Sequence, residues 1–79
     1  EQISQILFDV TGRDPGEVSD YVNLWRLVLA NYNAGSGCVD LAVRMTWVDG
    51  VPLVWDDVAQ SLPYLCRGAI DYVHNITQE

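Results

Sequence analysis

The sequence predicts a single all-α domain, and three observations support this prediction. Apolar residues recur at spacings of three and four along most of the chain, which is the period of an amphipathic helix. Glycine and proline fall between these segments, where they end or begin helices. With 49% apolar and 19% charged residues, the chain can form a compact core. Its 79 residues suffice for one small domain and not for two.

The first predicted helix covers residues 2–10 and has four apolar positions at helical spacing: Ile3, Ile6, Leu7 and Val10. Gly12 is expected to end this helix, and Pro15 prevents its continuation. A loop is therefore predicted at residues 11–16.

The second predicted helix is the longest and runs from Pro15 or Glu17 to about Asn33, with Asp14 as its N-cap. Gly35 is expected to follow it as a C-terminal glycine. Towards its end this helix is apolar almost all round, which predicts a central helix with neighbours on several sides. One apolar stripe of this helix is expected to be buried, and it consists of Val18, Tyr21, Val22, Trp25, Leu29 and Tyr32. Leu24, Leu27 and Val28 widen this stripe.

A third helix is predicted from Ser36, as its N-cap, to about Trp47. Asp49-Gly50 predicts a turn, followed by a short extended or irregular stretch at residues 51–54. As an alternative, residues 44–48 and 51–54 would form a hairpin across this turn.

A fourth helix is predicted at residues 55–61, and the acids Asp56 and Asp57 suit its positive N-terminal end. Leu62-Pro63 is expected to interrupt the chain before a final helix that ends near Thr77. Gly68 lowers the propensity of this last helix, so it is expected to mark a close contact.

The net charge of −7, with four Arg and no Lys, disfavours nucleic acid and anionic membranes as partners. No apolar run reaches the roughly 18 residues of a transmembrane helix, and no signal peptide is visible. A single histidine, His74, and two cysteines fit no zinc pattern, and no phosphate-binding glycine loop occurs. No metal or cofactor is therefore expected.

Cys38 and Cys66 leave two alternatives open. A disulfide between them would close a loop of about 28 residues and contribute about 3 kcal/mol. Alternatively, both are small buried thiols that act as core hydrophobes.

The most specific motif lies at residues 30–39, Ala-Asn-Tyr-Asn-Ala-Gly-Ser-Gly-Cys-Val. It resembles the Ala-x-Tyr-Asn-Ala-Gly-x-Gly-x-Val signature of lytic transglycosylases, lysozyme-like enzymes that cut bacterial cell-wall glycan. The preceding run at residues 24–30, Leu62-Pro63 and Tyr72-Val73 resemble the helices around that signature. The resemblance covers roughly residues 17–76 and is sharp only at residues 30–39.

This resemblance implies a lysozyme-like helical half-domain of about five helices, located in the cell envelope or secreted. It implies that Tyr32 and Asn33 contact the glycan. Asn31 stands where the family usually has a second alanine, and it either extends the sugar-facing surface or faces solvent. Gly35 and Gly37 are expected to let a ligand or another backbone approach closely. The structural part of the motif comprises Ala34, Gly35, Gly37 and Val39.

No catalytic residue is assigned. Family enzymes use a glutamate in a Glu-Ser-x-Phe-like segment tens of residues before the motif, and neither this segment nor the Gly-Leu-Met-Gln-like one that follows it occurs here. Glu17 lies near a helix start, which favours its charged form, and Asp40 is expected in a first helical turn. Glu1 and Glu79 are terminal.

The acid is therefore expected upstream of Glu1, and the chain alone is expected to be inactive. The parent enzyme, as the resemblance implies, would cleave the bond from N-acetylmuramic acid to N-acetylglucosamine without water and form a 1,6-anhydro product. A half-domain would expose apolar surface, so the missing N-terminal part or a second copy is an expected partner beside peptidoglycan glycan strands.

The alternative function is a non-catalytic interaction module that binds glycan or protein. Trp47 and Trp55 bracket a loop, where exposed rings could stack on sugars or dock a protein, unless both belong to the core. A self-contained helical domain that matches the motif by accident is a further alternative.

Overall fold

The computed structural model describes residues 2–77 and forms six α-helices and one short 3-10 helix over this range. No strand occurs within it, so the all-α prediction is confirmed and the alternative hairpin of residues 44–48 with 51–54 is not formed. The 3-10 helix is Tyr64–Cys66, and the α-helices are α1 (Gln2–Thr11), α2 (Pro15–Val18), α3 (Tyr21–Ala34), α4 (Ser36–Thr46), α5 (Trp55–Gln60) and α6 (Gly68–Thr77).

The first helix and the loop after it follow the prediction. Gly12 has a φ of 74° and its N–H donates to the carbonyl of Phe8 at 2.8 Å, which ends α1. At the start of α2, Pro15 takes the first helical position. The backbone N–H of Asp14 there donates to the Glu17 carboxylate at 3.0 Å.

The prediction of one long second helix is wrong in one respect, because the helix is interrupted at Ser19 and Asp20. The N–H of Leu53 donates to the carbonyl of Val18 at 2.7 Å, and the Ser19 hydroxyl donates to the carbonyl of Leu53 at 2.6 Å. Asp20 then begins α3 by accepting a hydrogen bond from the N–H of Asn23 at 2.9 Å. The extended segment around Leu53 thus supplies the hydrogen-bond partners that the backbone of a continuous helix would have supplied.

The prediction that this helix is central is confirmed for α3, which packs against α1, α4, α5 and α6. The predicted buried stripe is wrong. Leu27 and Ala30 are fully buried, whereas Tyr21 and Tyr32 are both 82% exposed and Trp25 is 49% exposed. Ala30 is fully buried although its side chain is small, and the large rings are left outside.

Two further members of the predicted stripe behave differently from one another: Val22 is exposed and Leu29 is half-buried. Val18 is buried as predicted, but it belongs to α2. The side of α3 that faces the core is therefore rotated away from the aromatic residues.

Gly35 alone joins α3 to α4. It occupies the N-cap position that was predicted for Ser36, and Ser36 is instead the first residue of α4. This helix ends at Thr46 and places Val39, Ala42 and Val43 in the core, where all three are fully buried.

The second half also follows the prediction in outline. Gly50 has a φ of 87°, and the Val51 N–H donates to the carbonyl of Val48 at 3.0 Å, which confirms the turn at Asp49-Gly50. Asp56 and Asp57 lie in the first turn of α5.

The Leu62-Pro63 interruption is confirmed, since α5 ends at Gln60 and α6 begins at Gly68. The close contact predicted at Gly68 is wrong. Apart from the glycine, its chain neighbours and the adjacent backbone of its own helix, no atom of residues 2–77 lies within 4 Å of the position that a Cβ would take there.

The core is built from apolar side chains of every α-helix and of the segments around α5. A disulfide joins Cys38 in α4 to Cys66 in the 3-10 helix, with their Cα atoms 6.4 Å apart, so the first of the two cysteine alternatives holds. Within residues 2–77, no helix has the length and apolar character needed to cross a membrane. The buried residues are Ile3, Ile6, Leu7, Val18, Leu27, Ala30, Val39, Ala42, Val43, Leu53, Trp55, Val58, Ala59, Leu62, Ala69 and Val73.

Candidate functional site

Residues 30–39 form a tight junction in which the end of α3 meets the start of α4. Gly35 adopts a φ of 93° and a ψ of 155°, which residues with a Cβ rarely adopt. Its N–H donates to the carbonyl of Asn31 at 3.0 Å, and its own carbonyl accepts from the N–H of Val39 at 3.3 Å. Because one residue connects the two helices, the last turn of α3 and the first turn of α4 border the same surface.

Tyr32 lies on the outside of this junction and not in the buried stripe that was predicted for it. Its side chain is 82% exposed, and its ring stacks on that of Tyr72 from α6, with centroids 6.4 Å apart and ring planes inclined by 28°. Tyr72 is half-buried and packs against the core. The pair therefore anchors one exposed aromatic ring to the body of the domain.

Asn33 and Asn31 differ in accessibility. Asn33 is exposed, and no residue of the described range forms a hydrogen bond with its side-chain amide, so the group can donate and accept hydrogen bonds to a ligand. Asn31 lies one turn after Leu27, on the inner side of α3, and is half-buried. Of the two, Asn33 is therefore the better placed to contact a ligand.

The remaining motif residues have structural positions. Val39 is fully buried in the first turns of α4, and Ala34 is half-buried at the end of α3. Beyond the adjacent residues of the chain and the local helix backbone, no atom of the part that the structure describes lies within 4 Å of the position that a Cβ would take at Gly35 or Gly37. No close backbone approach thus occurs at these glycines within residues 2–77, and the requirement for glycine at position 35 comes from its positive φ.

A small pocket of about 280 Å³ borders the junction. Gln5 and Ile6 of α1 line it together with Ser36, Gly37 and Asp40 of α4. Asp40 also accepts a hydrogen bond from the guanidinium of Arg44, one turn further along the helix. The pocket therefore places neutral polar groups and one ion-paired carboxylate beside the motif.

A larger cleft of about 500 Å³ lies around the start of α3 and the segment of residues 47–54. Trp47 and the exposed ion pair of Arg13 with Asp49, 3.4 Å apart, contribute to its lining. Its volume is typical of ligand sites. However, the 14 residues of α3 place its start roughly 20 Å from the motif. We therefore assign the candidate site to the junction and not to the larger cleft.

Glycan cleavage requires a carboxylic acid that stays protonated, which calls for an apolar pocket around it. Within residues 2–77, no Asp or Glu is buried. Glu17 accepts a hydrogen bond from the backbone of Asp14, and Asp40 is paired with Arg44. The hydrogen bond from the Asn23 backbone lowers the pKa of Asp20, which favours its charged form.

Core packing is the alternative that holds for Trp47 and Trp55, whereas the predicted burial of Trp25 is wrong. Trp55 is 5% exposed and belongs to the core, and Trp47 is half-buried against it, so the pair does not form an exposed platform. Trp25, which was predicted to be buried, is the most exposed tryptophan. The spacing of Tyr21, Trp25, Val28 and Tyr32 by four, three and four residues was the available signal, because it places all four on one side of a helix.

No group of three or more His, Cys, Asp or Glu side chains in the described part of the chain is arranged to hold a metal ion. Comparisons with known protein families, with curated proteins and with solved structures found no match.

Proposed function

We propose that this chain forms part of a peptidoglycan-binding surface in a lytic transglycosylase-like protein, with the catalytic acid supplied from outside residues 1–79. The observation that carries the proposal is the exposure of Tyr32 and Asn33 side by side at the α3–α4 junction. The resemblance of residues 30–39 to the lytic transglycosylase signature supports peptidoglycan as the ligand class.

The chemistry of the two side chains supports a sugar ligand. A tyrosine ring offers an apolar face for the C–H face of a pyranose, and its hydroxyl can donate and accept hydrogen bonds. The Asn33 amide offers two N–H donors and one carbonyl acceptor, which suit sugar hydroxyl and N-acetyl groups. The contact with Tyr72 limits the motion of the Tyr32 ring, so less conformational entropy is lost on binding.

The surroundings of the described carboxylates support an external acid. Those nearest the motif and the helix starts are hydrogen-bonded or exposed, and none lies in an apolar pocket. In this proposal the chain binds and orients the glycan, and a glutamate on another segment protonates the glycosidic oxygen.

The proposal is tested by titrating the 79-residue chain with N-acetylglucosamine oligomers and muropeptides while amide NMR shifts are recorded. We expect saturable shifts centred on residues 31–39, and we expect Tyr32→Ala to weaken binding about tenfold, as loss of a ring contact worth about 1.4 kcal/mol would. Asn33→Ala is expected to weaken it several-fold through lost hydrogen bonds.

Tyr64→Ala is the matched control, because Tyr64 is also a tyrosine, is 85% exposed and lies outside α3. Equal weakening by Tyr32→Ala and Tyr64→Ala would contradict a site at the junction. Absence of binding to any glycan would contradict the function itself.

The second candidate is a non-catalytic helical interaction module, and the exposed apolar side of α3 favours it. Both candidates place no catalytic acid in this chain, and incubation of the purified chain with peptidoglycan tests this shared expectation. We expect no release of soluble muropeptides, and release that persists after further purification would refute the placement of the acid outside this chain.

A further inference from the structure

We propose that the bound glycan extends from Tyr32 along the outer side of α3 to Trp25 and on towards Tyr21. This inference rests on the proposed function and specifies the ligand as an extended strand of several sugars, rather than a single disaccharide. We call the side chains of Tyr21, Trp25 and Tyr32 the aromatic track.

The helical geometry puts the aromatic track in line. With 3.6 residues per turn, positions 21, 25, 28 and 32 fall within about 60° of one another around the helix. Tyr32 and Trp25 are separated by about 10.5 Å along the axis, and Trp25 and Tyr21 by about 6 Å. Val28, which is also exposed, lies between Trp25 and Tyr32 and adds apolar surface.

The spacing suits a glycan strand. In a β-1,4-linked strand, successive sugars turn over, so equivalent ring faces recur once per disaccharide. The length of such a disaccharide is comparable with the axial separation of Tyr32 and Trp25. A strand that stacks one sugar on Tyr32 can therefore present the same face of a later sugar to Trp25.

The charge distribution favours the sugar rings of a glycan over a second copy of this chain as the occupant of the track. Arg26 is the single charged residue of α3, and it lies about 100° around the helix from Trp25. A second copy of the chain would bring two net charges of −7 together, which opposes self-association through this face. A glycan needs ring faces, which the track offers, and neutral hydrogen-bonding groups, which Asn33 offers about 100° around the helix from Tyr32.

The test is the dependence of affinity on glycan length, measured by calorimetry with N-acetylglucosamine oligomers of two to eight sugars. For the unaltered chain we expect the dissociation constant to fall about tenfold once the oligomer spans Tyr32 and Trp25. In Trp25→Ala this gain should disappear, while the affinity for the shortest oligomer that binds changes less than about twofold. Trp25→Phe keeps a ring and should retain most of the gain.

The outcomes separate this inference from the proposed function. Short oligomers that bind with no gain in longer ones, or a gain that Trp25→Ala leaves intact, would overturn the aromatic track while the site at Tyr32 stands. Failure of every oligomer to bind would overturn both. A dimer that Trp25→Ala dissociates would assign this face to a second copy and overturn the track. Circular dichroism of each variant establishes that it is folded before its affinity is used.

Discussion

The two sides of α3 are both apolar, yet they have opposite environments. The inner side carries Leu27 and Ala30, which are fully buried, and the outer side carries Tyr21, Trp25 and Tyr32, which are exposed. Hydrophobicity alone would bury the outer side, since its rings have more apolar surface to remove from water. The difference teaches that the fit between helices, and not hydrophobicity alone, decides which apolar side faces the core.

The largest effect is expected from a substitution on the inner side of α3. Leu27→Ala removes buried methyl groups and leaves a cavity, so we expect a loss of about 3 kcal/mol in the free energy of unfolding. This is close to the entire stability of roughly 3–5 kcal/mol for a domain of this size. Urea unfolding followed by circular dichroism measures it.

Leu65→Ala is the matched control for Leu27→Ala, because it removes the same atoms from a side chain that is 92% exposed. We expect it to change the free energy of unfolding by less than about 0.5 kcal/mol. Similar losses in both variants would contradict the assignment of Leu27 to the core.

The disulfide should have the next largest effect, because it links α4 to the turn before α6, and both helices pack on α3. Reduction should lower the free energy of unfolding by about 3 kcal/mol, mainly by freeing the unfolded chain. Urea unfolding with and without reductant measures this, with thiol alkylation to verify complete reduction. An unchanged midpoint in the fully reduced chain would show that the disulfide contributes nothing to the free energy of unfolding.

A larger side chain at position 30 tests whether the inner side of α3 requires a small residue there. Ala30→Leu adds three carbons to a side chain that is fully buried. We expect the free energy of unfolding to fall by about 2 kcal/mol. Val22→Leu enlarges an exposed residue of the same helix and should change stability by less than about 0.5 kcal/mol. If Ala30→Leu were neutral in thermal unfolding, close helix approach could not be the reason for the choice of side.

Asp20 is the N-cap of α3, and it is expected to have a smaller effect on stability that depends on pH. Hydrogen bonds from the backbone and side chain of Asn23 lower the folded-state pKa of Asp20 below its ordinary value of 3.8. The resulting stability is present above pH 3.8 and is lost as the pH falls through the lower folded-state pKa.

Asp20→Asn keeps an acceptor for the Asn23 N–H but does not titrate. We therefore expect the melting temperature of the unaltered chain to fall more steeply than that of Asp20→Asn as the pH is lowered from 5 to about 2. Parallel melting curves across this range would contradict the role assigned to Asp20.

The smallest expected effect concerns the outer side. Tyr21→Ala removes a ring that is 82% exposed, and we expect the free energy of unfolding to change by less than about 0.5 kcal/mol. A loss above about 1 kcal/mol in urea unfolding would mean that this ring packs on the domain, and the contrast between the two sides of α3 would fail.

Much of the candidate site could be predicted from local sequence. The Tyr-Asn-Ala-Gly run indicated a helix end at Gly35, and the structure has it there with the required positive φ. The contact of Tyr32 with Tyr72 joins residues 40 positions apart, so no local pattern contains it. The exposure of Trp25 and the burial of Trp55 were likewise set by how the helices pack.

By itself, the sequence determined the all-α class, the loop after Gly12, the proline start at Pro15, the turn at Asp49-Gly50 and the helix end at Gly35. These features depend on backbone conformations and hydrogen bonds within a few residues, which local side chains control. Only the tertiary structure decided the break at Ser19 and the side of α3 that is buried. The break depends on Leu53, 34 positions away, and the buried side depends on which neighbouring helices can approach closely.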